Sequence, residues 1–427
     1  MRFGPDILRQ ADILATFSED APRITRTYLS PQHRAAGDYL LTLMREAGMS
    51  ASFDALGNIV GRYAATQPDA AVVMTGSHQD SVRNAGRYDG LFGILSAIAC
   101  VRDLHRRGVR LPITIEVVAF GDEEGVRFPA TLIGSRAMTG QFDPDWLDRT
   151  DESGLSLRDA LVAFGGDPEG WRALDRRHAA HGNVVAFIES HIEQGPVLLD
   201  AGLAVGVVTA IAGATRQRVR VTGLAGHAGT VPMGARQDAL AAAAEMVLAI
   251  ERHCTEHEGL VGTVGRLAVR PGAINVIAQD VDFTIDLRSG DDRRRHDAVA
   301  AIDDAIRRIG ARRRVSVAIE TLYDEAAARC DAELQQQVAA AIEANGIAPR
   351  YLASGAGHDA MAFPAIMPMA MLFVRCGNRG ISHHPDEIIS AEDAEVATLV
   401  LLHFFEHFQS PTRAIAAAHA TQPTDTP

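Results

Sequence analysis

The sequence predicts an α/β layered fold interrupted by a smaller α+β unit. Three observations carry this expectation: apolar bursts rich in β-branched residues recur along the chain, stretches with helical spacing separate them, and the texture changes between about 213 and 326. The first burst, "AVVMTGSH" at 71–78, is followed by "GLFGILSAIACVRDLHRRG" at 90–108, whose apolar residues recur at helical spacing. Further bursts follow at 113–121, "ITIEVVAFG", at 184–191, "VVAFIESH", and at 370–377, "AMLFVRCG". Between them, "RQRVRVTG" and "VDFTIDLRS" alternate polar and apolar residues as half-buried strands do, and two long Ala-rich patterns at 236–253 and 293–313 read as helices. Two strands and a helix, twice over, therefore form the inserted unit.

The expected division is a discontinuous domain over 1–212 and 327–410, an insertion over 213–326 and a flexible Pro-, Thr- and Ala-rich tail over 411–427. A chain of 427 residues exceeds the usual size of one hydrophobic core, which agrees with two parts.

Composition narrows the function. With 41 basic against 54 acidic residues the net charge is −13, so no basic stripe is available to repay phosphate repulsion, and nucleic-acid binding is not expected. Every basic residue is arginine, which excludes a Schiff-base or phosphate-binding lysine. The cysteines, Cys100, Cys254, Cys330 and Cys376, are too scattered for a disulfide framework and read as small core residues in a reducing compartment. No window has the length and apolarity of a membrane span and the N-terminus lacks a signal-peptide core, so the expectation is a cytoplasmic protein with no membrane partner.

Each large-domain burst ends in residues with chemistry. His78 and Asp80 close the first, Asp122, Glu123 and Glu124 follow the second, His191 ends the third, and "ISHHPDE" with His383 follows the fourth, while Asp89 in "GRYDG" precedes the first helix. Ligand sites in such sheets form at strand ends, so these loops converge. Three histidines and two carboxylates suit a pair of divalent ions sharing one carboxylate, which also answers the repulsion among three consecutive acids. Asp80 is placed to hold the far nitrogen of His78. Any one of these histidines alone would more often be structural; the joint pattern carries the inference.

The ordered runs "GSHQDSV", "GRYDGLFGI", "GDEEGVRF", "HIEQGPVL", "GHAGTVPM", "PGAINVI", "SGAGHDA" and "GISHHPDE" resemble the dinuclear-metal amidases of the hydantoinase/carbamoylase type. The resemblance implies a di-zinc aminopeptidase/carboxypeptidase-like catalytic domain carrying a lid and dimerisation insert. It also implies one metal on His78, Asp89 and His191 and a second on Asp89, Glu124 and His383, with His384 as a rival for the last position. The ions would be Zn²⁺ or Mn²⁺, with Co²⁺ or Ni²⁺ accepted by the same donor types.

Glu123 matches the family's general base, and His227 a residue that stabilises the oxyanion, reaching the active site from the partner subunit. Asn275 and Arg288 match residues that hold the substrate carboxylate, with Gln194, Gln217, Arg236, Gly357 and His358 as weaker candidates for substrate contact. Arg127 is expected to offset one charge of the acid run. The implied activity is hydrolysis of a ureido group on a small carboxylate by a homodimer. Allantoate is the favoured substrate, an N-carbamoyl-L-amino acid or N-carbamoyl-β-alanine the alternative. A dipeptidase and a non-catalytic binder are rivals, opposed by "HIEQGP" and by the complete set of ligand types respectively.

Overall fold

The computed structural model describes residues 2–412; the expected tail lies, from 413 onward, outside the described residues. The elements in chain order are α1 (Gly4–Ala15), α2 (Pro31–Glu46), β1 (Ser50–Phe53), β2 (Ile59–Tyr63), β3 (Val72–His78), α3 (Leu91–Arg106), β4 (Thr114–Phe120), α4 (Ile133–Met138), α5 (Leu157–Phe164), β5 (Val184–Ile192), α6 (Val197–Ala201) and β6 (Val205–Ile211). There follow β7 (Gly213–Thr222), α7 (Ala239–Glu256), β8 (Leu260–Thr263), β9 (Leu267–Arg270), β10 (Asp280–Ser289), α8 (Asp292–Arg313), β11 (Ser316–Glu325) and β12 (Ala328–Arg329). The chain closes with α9 (Ala332–Ala344), β13 (Tyr351–Ser354), β14 (Met369–Val374) and α10 (Ala391–Glu406).

Two compact units result. Among the described residues the larger holds 2–209, 330–352 and 358–412, the smaller 210–329 and 353–357. The run 353–357, expected in the larger part, belongs to the smaller one because Gly355 offers its carbonyl to Arg288 Nη1 at 2.8 Å.

In the larger unit the sheet runs β1-β2-β4-β3-β5-β14-β6. Its centre, β4, β3, β5 and β14, is parallel, so these four strands end at the same edge, at Phe120, His78, Ile192 and Val374. All seven residues of β3 and of β4 are buried, which explains why both read as continuous apolar runs rather than alternating ones. Helices α1, α2, α3, α9 and α10 share one apolar cluster with the sheet residues Val73, Ile115, Val117, Ile188 and Leu372. The other face carries Phe120 and Phe187, with Phe363 stacked on Phe187 at 4.0 Å between centroids.

Gly76 in β3 has φ +154, and a Cβ there would overlap the Val118 carbonyl of β4. Only glycine lets the two strands lie at this spacing.

The smaller unit is a five-stranded antiparallel sheet, β11-β7-β10-β8 with β9 also on β10, its apolar face joined to α7 and α8. It holds one strand more than the two-strands-and-helix pattern predicts. Residues 260–263 pair with 286–289 and residues 267–270 with 280–283, so three residues on one side stand opposite two on the other and the edge strand breaks in two.

Candidate metal centre

Strand ends deliver the side chains. His78 is the last residue of β3; Glu123 and Glu124 follow β4; His191 is the penultimate residue of β5; Asp89 stands just before α3. Gly90 caps α3 at φ +66 and packs on His78 so closely that a Cβ would overlap the His78 carbonyl. That contact sets the separation of Asp89 from His78.

Asp89 is the centre of the arrangement. Its Oδ1 lies 3.6 Å from His78 Nε2 and 3.3 Å from His191 Nε2, while its Oδ2 lies 3.2 Å from His383 Nε2. His383 Nε2 is also 3.6 Å from Glu124 Oε1. Two triads thus share one carboxylate, His78–Asp89–His191 and Asp89–Glu124–His383. Two ligands held about 2.0–2.1 Å from one tetrahedral ion lie roughly 3.3 Å apart, so these spacings fit a dication in each triad.

The far nitrogens agree with this. His78 Nδ1 lies 3.1 Å from the Asp80 carbonyl and His191 Nδ1 lies 2.9 Å from the Ile192 carbonyl. Protons placed on Nδ1 leave a lone pair on each Nε2, and that of His191 also receives the Gly90 N–H at 3.3 Å. Glu124 Oε1 is buried and accepts no hydrogen bond among the described residues, as a ligand oxygen would. His383 takes φ +55 to reach the centre, whereas His384 turns to Asp386, whose backbone N–H donates to its Nδ1 at 3.2 Å.

Electrostatics reflect a pocket built for positive charge. Burial and the nearby Asp89 carboxylate raise Glu124 to about 7. Burial, with Glu124, Asp359 and Asp80 nearby, also holds Glu123 well above the usual carboxylate range. Hydrogen bonding to Asp89 raises His383 to about 9.

Asp80 does more than the sequence indicates. Its Oδ1 accepts the Glu123 N–H at 3.1 Å and its Oδ2 the Glu124 N–H at 3.2 Å, while Oδ1 also lies 3.5 Å from His78 Nδ1. One carboxylate therefore fixes both the acid turn and an imidazole. Asp122 is fully buried and belongs to neither triad. Arg127 does not offset the acid run as expected: its Nε donates to Asp151 at 3.0 Å and its Nη1 to the Tyr28 carbonyl at 2.9 Å.

The remaining candidates fall into groups. Gln194 supports the centre, its Nε2 donating to Asp89 Oδ2 at 3.1 Å and Ser382 Oγ at 3.2 Å. His358 is buried with its ring edge-on to His191, 4.4 Å between centroids, and Gly357, which precedes it, is exposed.

In the smaller unit His227 and Asn275 are brought together. The Ala228 N–H donates to the Asn275 carbonyl at 3.0 Å, His227 bridges to Val276, and both His227 and Asn275 are exposed. Arg236 braces that loop through the Val231 and Ala228 carbonyls, at 3.1 and 2.6 Å. The Nε and Nη2 of Arg288 are engaged by Asp286, at 2.8 and 3.1 Å. Gln217 corrects the expectation of substrate contact: it is 1% exposed and its amide donates to Asp303 of α8 at 3.2 Å, because the strand's alternation turns that position into the unit's core.

The sequence reading missed Glu189, Ser382 and Glu387. Glu189 accepts from Ser77 Oγ at 2.7 Å and the Ala360 N–H at 3.0 Å, beneath His191. Its place in the "ESH" of β5 was the one available signal, since a carboxylate inside a buried strand needs partners.

Comparison with known proteins agrees with this geometry. The model of peptidase family M20/M25/M40 matches residues 72–407. An N-carbamoyl-L-amino acid amidohydrolase of Geobacillus stearothermophilus is 42% identical, the alignment covering 89% of this chain and 92% of that protein. A probable allantoate deiminase of Oryza sativa subsp. japonica is 38% identical over 97% of this chain and 91% of its own. The crystal structure of a hydantoinase/carbamoylase family amidase from Burkholderia ambifaria superposes with TM-score 0.87 at 36% identity, covering 94% of this chain and 96% of that one. The chain belongs to peptidase family M20/M25/M40 and, within it, to the hydantoinase/carbamoylase-type amidases, a group dependent on two metal ions.

Proposed function

We propose that the protein hydrolyses the ureido group of a small carboxylate, R–NH–CO–NH₂ with water giving the amine, carbon dioxide and ammonia, and that allantoate is the substrate. The observation that carries the reading is Asp89 shared between two triads, with the Glu123 carboxylate within reach of His78 of the one and Glu124 of the other. His78, Asp89 and His191 would hold one divalent ion and Asp89, Glu124 and His383 the other, zinc or manganese. When bound, such a pair supplies Lewis acidity to the carbonyl and acidifies a water.

Glu123 takes the proton of the attacking water on its carboxylate and passes it to the departing nitrogen. Burial keeps its proton affinity above that of an ordinary carboxylate, as a base working near neutrality needs. Asp80, through the two N–H groups it grips, fixes where that carboxylate stands. His227 stabilises the oxyanion from the partner subunit of a homodimer formed through the smaller unit. Asn275 and Arg288 hold the substrate carboxylate; Asp286 orients the guanidinium through one edge, leaving two of its five N–H groups for a ligand.

Polar groups around the centre, Gln194, Ser382 and His358, suit the second ureido group of allantoate. The 42% identical carbamoylase favours a second reading, an N-carbamoyl-L-amino acid. The proposed site of action is the cytoplasm; no helix of the described residues is long and apolar enough to cross a membrane.

The test is ammonia release from allantoate, N-carbamoyl-L-methionine and N-carbamoyl-β-alanine side by side with added Mn²⁺, using wild type and Glu123→Gln. Allantoate should turn over fastest, and the substitution should keep the metal while lowering turnover about 10²- to 10⁴-fold. Cleavage of a dipeptide with no ammonia from any of the three would refute the ureidohydrolase reading, and undiminished turnover by Glu123→Gln would refute the base.

A further inference from the structure

We propose that Glu387 is a positioning residue that ties the shared carboxylate Asp89 to the loop carrying His383, and so sets the width of the second triad. The inference rests on the reading of Asp89 and His383 as metal ligands. Glu387 is 3% exposed and lies four residues beyond His383. Its Oε1 accepts the N–H groups of Tyr88 at 2.8 Å and Asp89 at 3.1 Å, and its Oε2 accepts Ser382 Oγ at 2.7 Å. Ser382 directly precedes His383, and its Oγ is 3.5 Å from Asp89 Oδ2.

One side chain therefore holds the backbone of one ligand and the neighbour of another, although the two lie almost 300 residues apart in sequence. Its own loop is closed by the Glu387 N–H donating to the His384 carbonyl at 3.0 Å. The opposing loop makes room for it: Gly86 carries no Cβ, and one placed there would overlap the Glu387 carboxyl. Loop 86–89 and loop 382–387 are thus shaped around this carboxylate on both sides.

A group that merely filled space would be indifferent to its acceptor oxygens. A positioning group is not, because removing it frees Asp89 and His383 to move apart while His78 and His191 stay on their strands. Loss of such outer partners costs about 10- to 100-fold in metal affinity.

The test is titration of the metal-stripped protein with Zn²⁺ against a competing chelator, for wild type, Glu387→Ala, Glu387→Gln and Asp89→Asn, with thermal unfolding of each stripped protein. Glu387→Ala should bind its first equivalent as wild type does and its second about 10- to 100-fold more weakly. Glu387→Gln, which keeps an oxygen for the two N–H groups and a polar partner for Ser382, should recover to within a few-fold. Two equivalents at wild-type affinity in Glu387→Ala, or Gln as damaging as Ala, would overturn the proposal. Should Glu387→Ala not fold, Gly86→Ala displaces the same carboxyl and should lose the same second equivalent; two equivalents at full affinity there would also overturn it. Asp89→Asn should weaken both equivalents; if it does not, the ligand reading fails, and the role of Glu387 with it.

Discussion

His33 shows how a single buried side chain couples this fold to pH. It is fully buried at the start of α2, its Nε2 lies 3.1 Å from the Gly121 carbonyl, and its ring packs edge-on to Tyr28. Burial lowers its pKa from 6.5 to about 4. The unfolded chain therefore binds a proton between pH 6.5 and 4 that the folded chain refuses, so this residue's contribution to stability is lost on acidification. Its size is up to about 3 kcal/mol across that window. Urea unfolding of wild type and His33→Leu at pH 7 and pH 4 should show a smaller acid loss in the variant; parallel losses would exclude His33 as the cause. At this scale the sequence was read through motifs: His78, Glu124, His191 and His383 stood out because each follows or ends a recognisable burst, and Asp89 because it stands in a turn before the first helix. Glu387 and the double grip of Asp80 did not, because their partners are backbone N–H groups that no side-chain pattern marks.

The elements were legible where burial is complete or regularly periodic and obscure where it is slight. The four parallel strands announced themselves as uninterrupted apolar runs, and the two long helices of the smaller unit by their spacing. Short edge strands such as β1 and β9, which bury little, left no comparable pattern. Within β3 the decisive residue is Gly76, since a methyl group there would collide with the β4 carbonyl of Val118. Gly76→Ala should destabilise the protein by about 3 kcal/mol in urea unfolding, and should weaken zinc binding, because His78 and the acid turn depart from these same two strands. An unchanged midpoint would mean the strands part at little cost.

For the whole molecule, both triads lie in the larger unit, and their members come from the ends of β3, β4 and β5, the start of α3 and the loop before α10. Ions bound there act as a cross-link among five segments, stabilising only the state that brings them together. At free metal 100-fold above its dissociation constant each site contributes about 2.7 kcal/mol. Stripping metal with a chelator should speed amide hydrogen exchange at residues 76–90, 120–126, 190–194 and 380–388, and leave 239–256 in the smaller unit unchanged. Uniform loss of protection, or none, would argue against a cross-link of this kind. The two-part organisation was visible in the change of texture, but residues 353–357 could not be assigned from it, since their place depends on a partner, Arg288, far away in the chain.

The parallel pairing of β5 with β14 has a consequence for synthesis. Phe187 registers with Met369, so β5 leaves the ribosome with its edge open until the chain has grown past the whole of the smaller unit. At about 5–20 residues per second that wait lasts roughly 10–35 s. During it, a buried-type strand carrying His191 has neither its neighbour nor its full set of metal ligands. Until Met369 arrives, that open edge is a template on which another chain can pair.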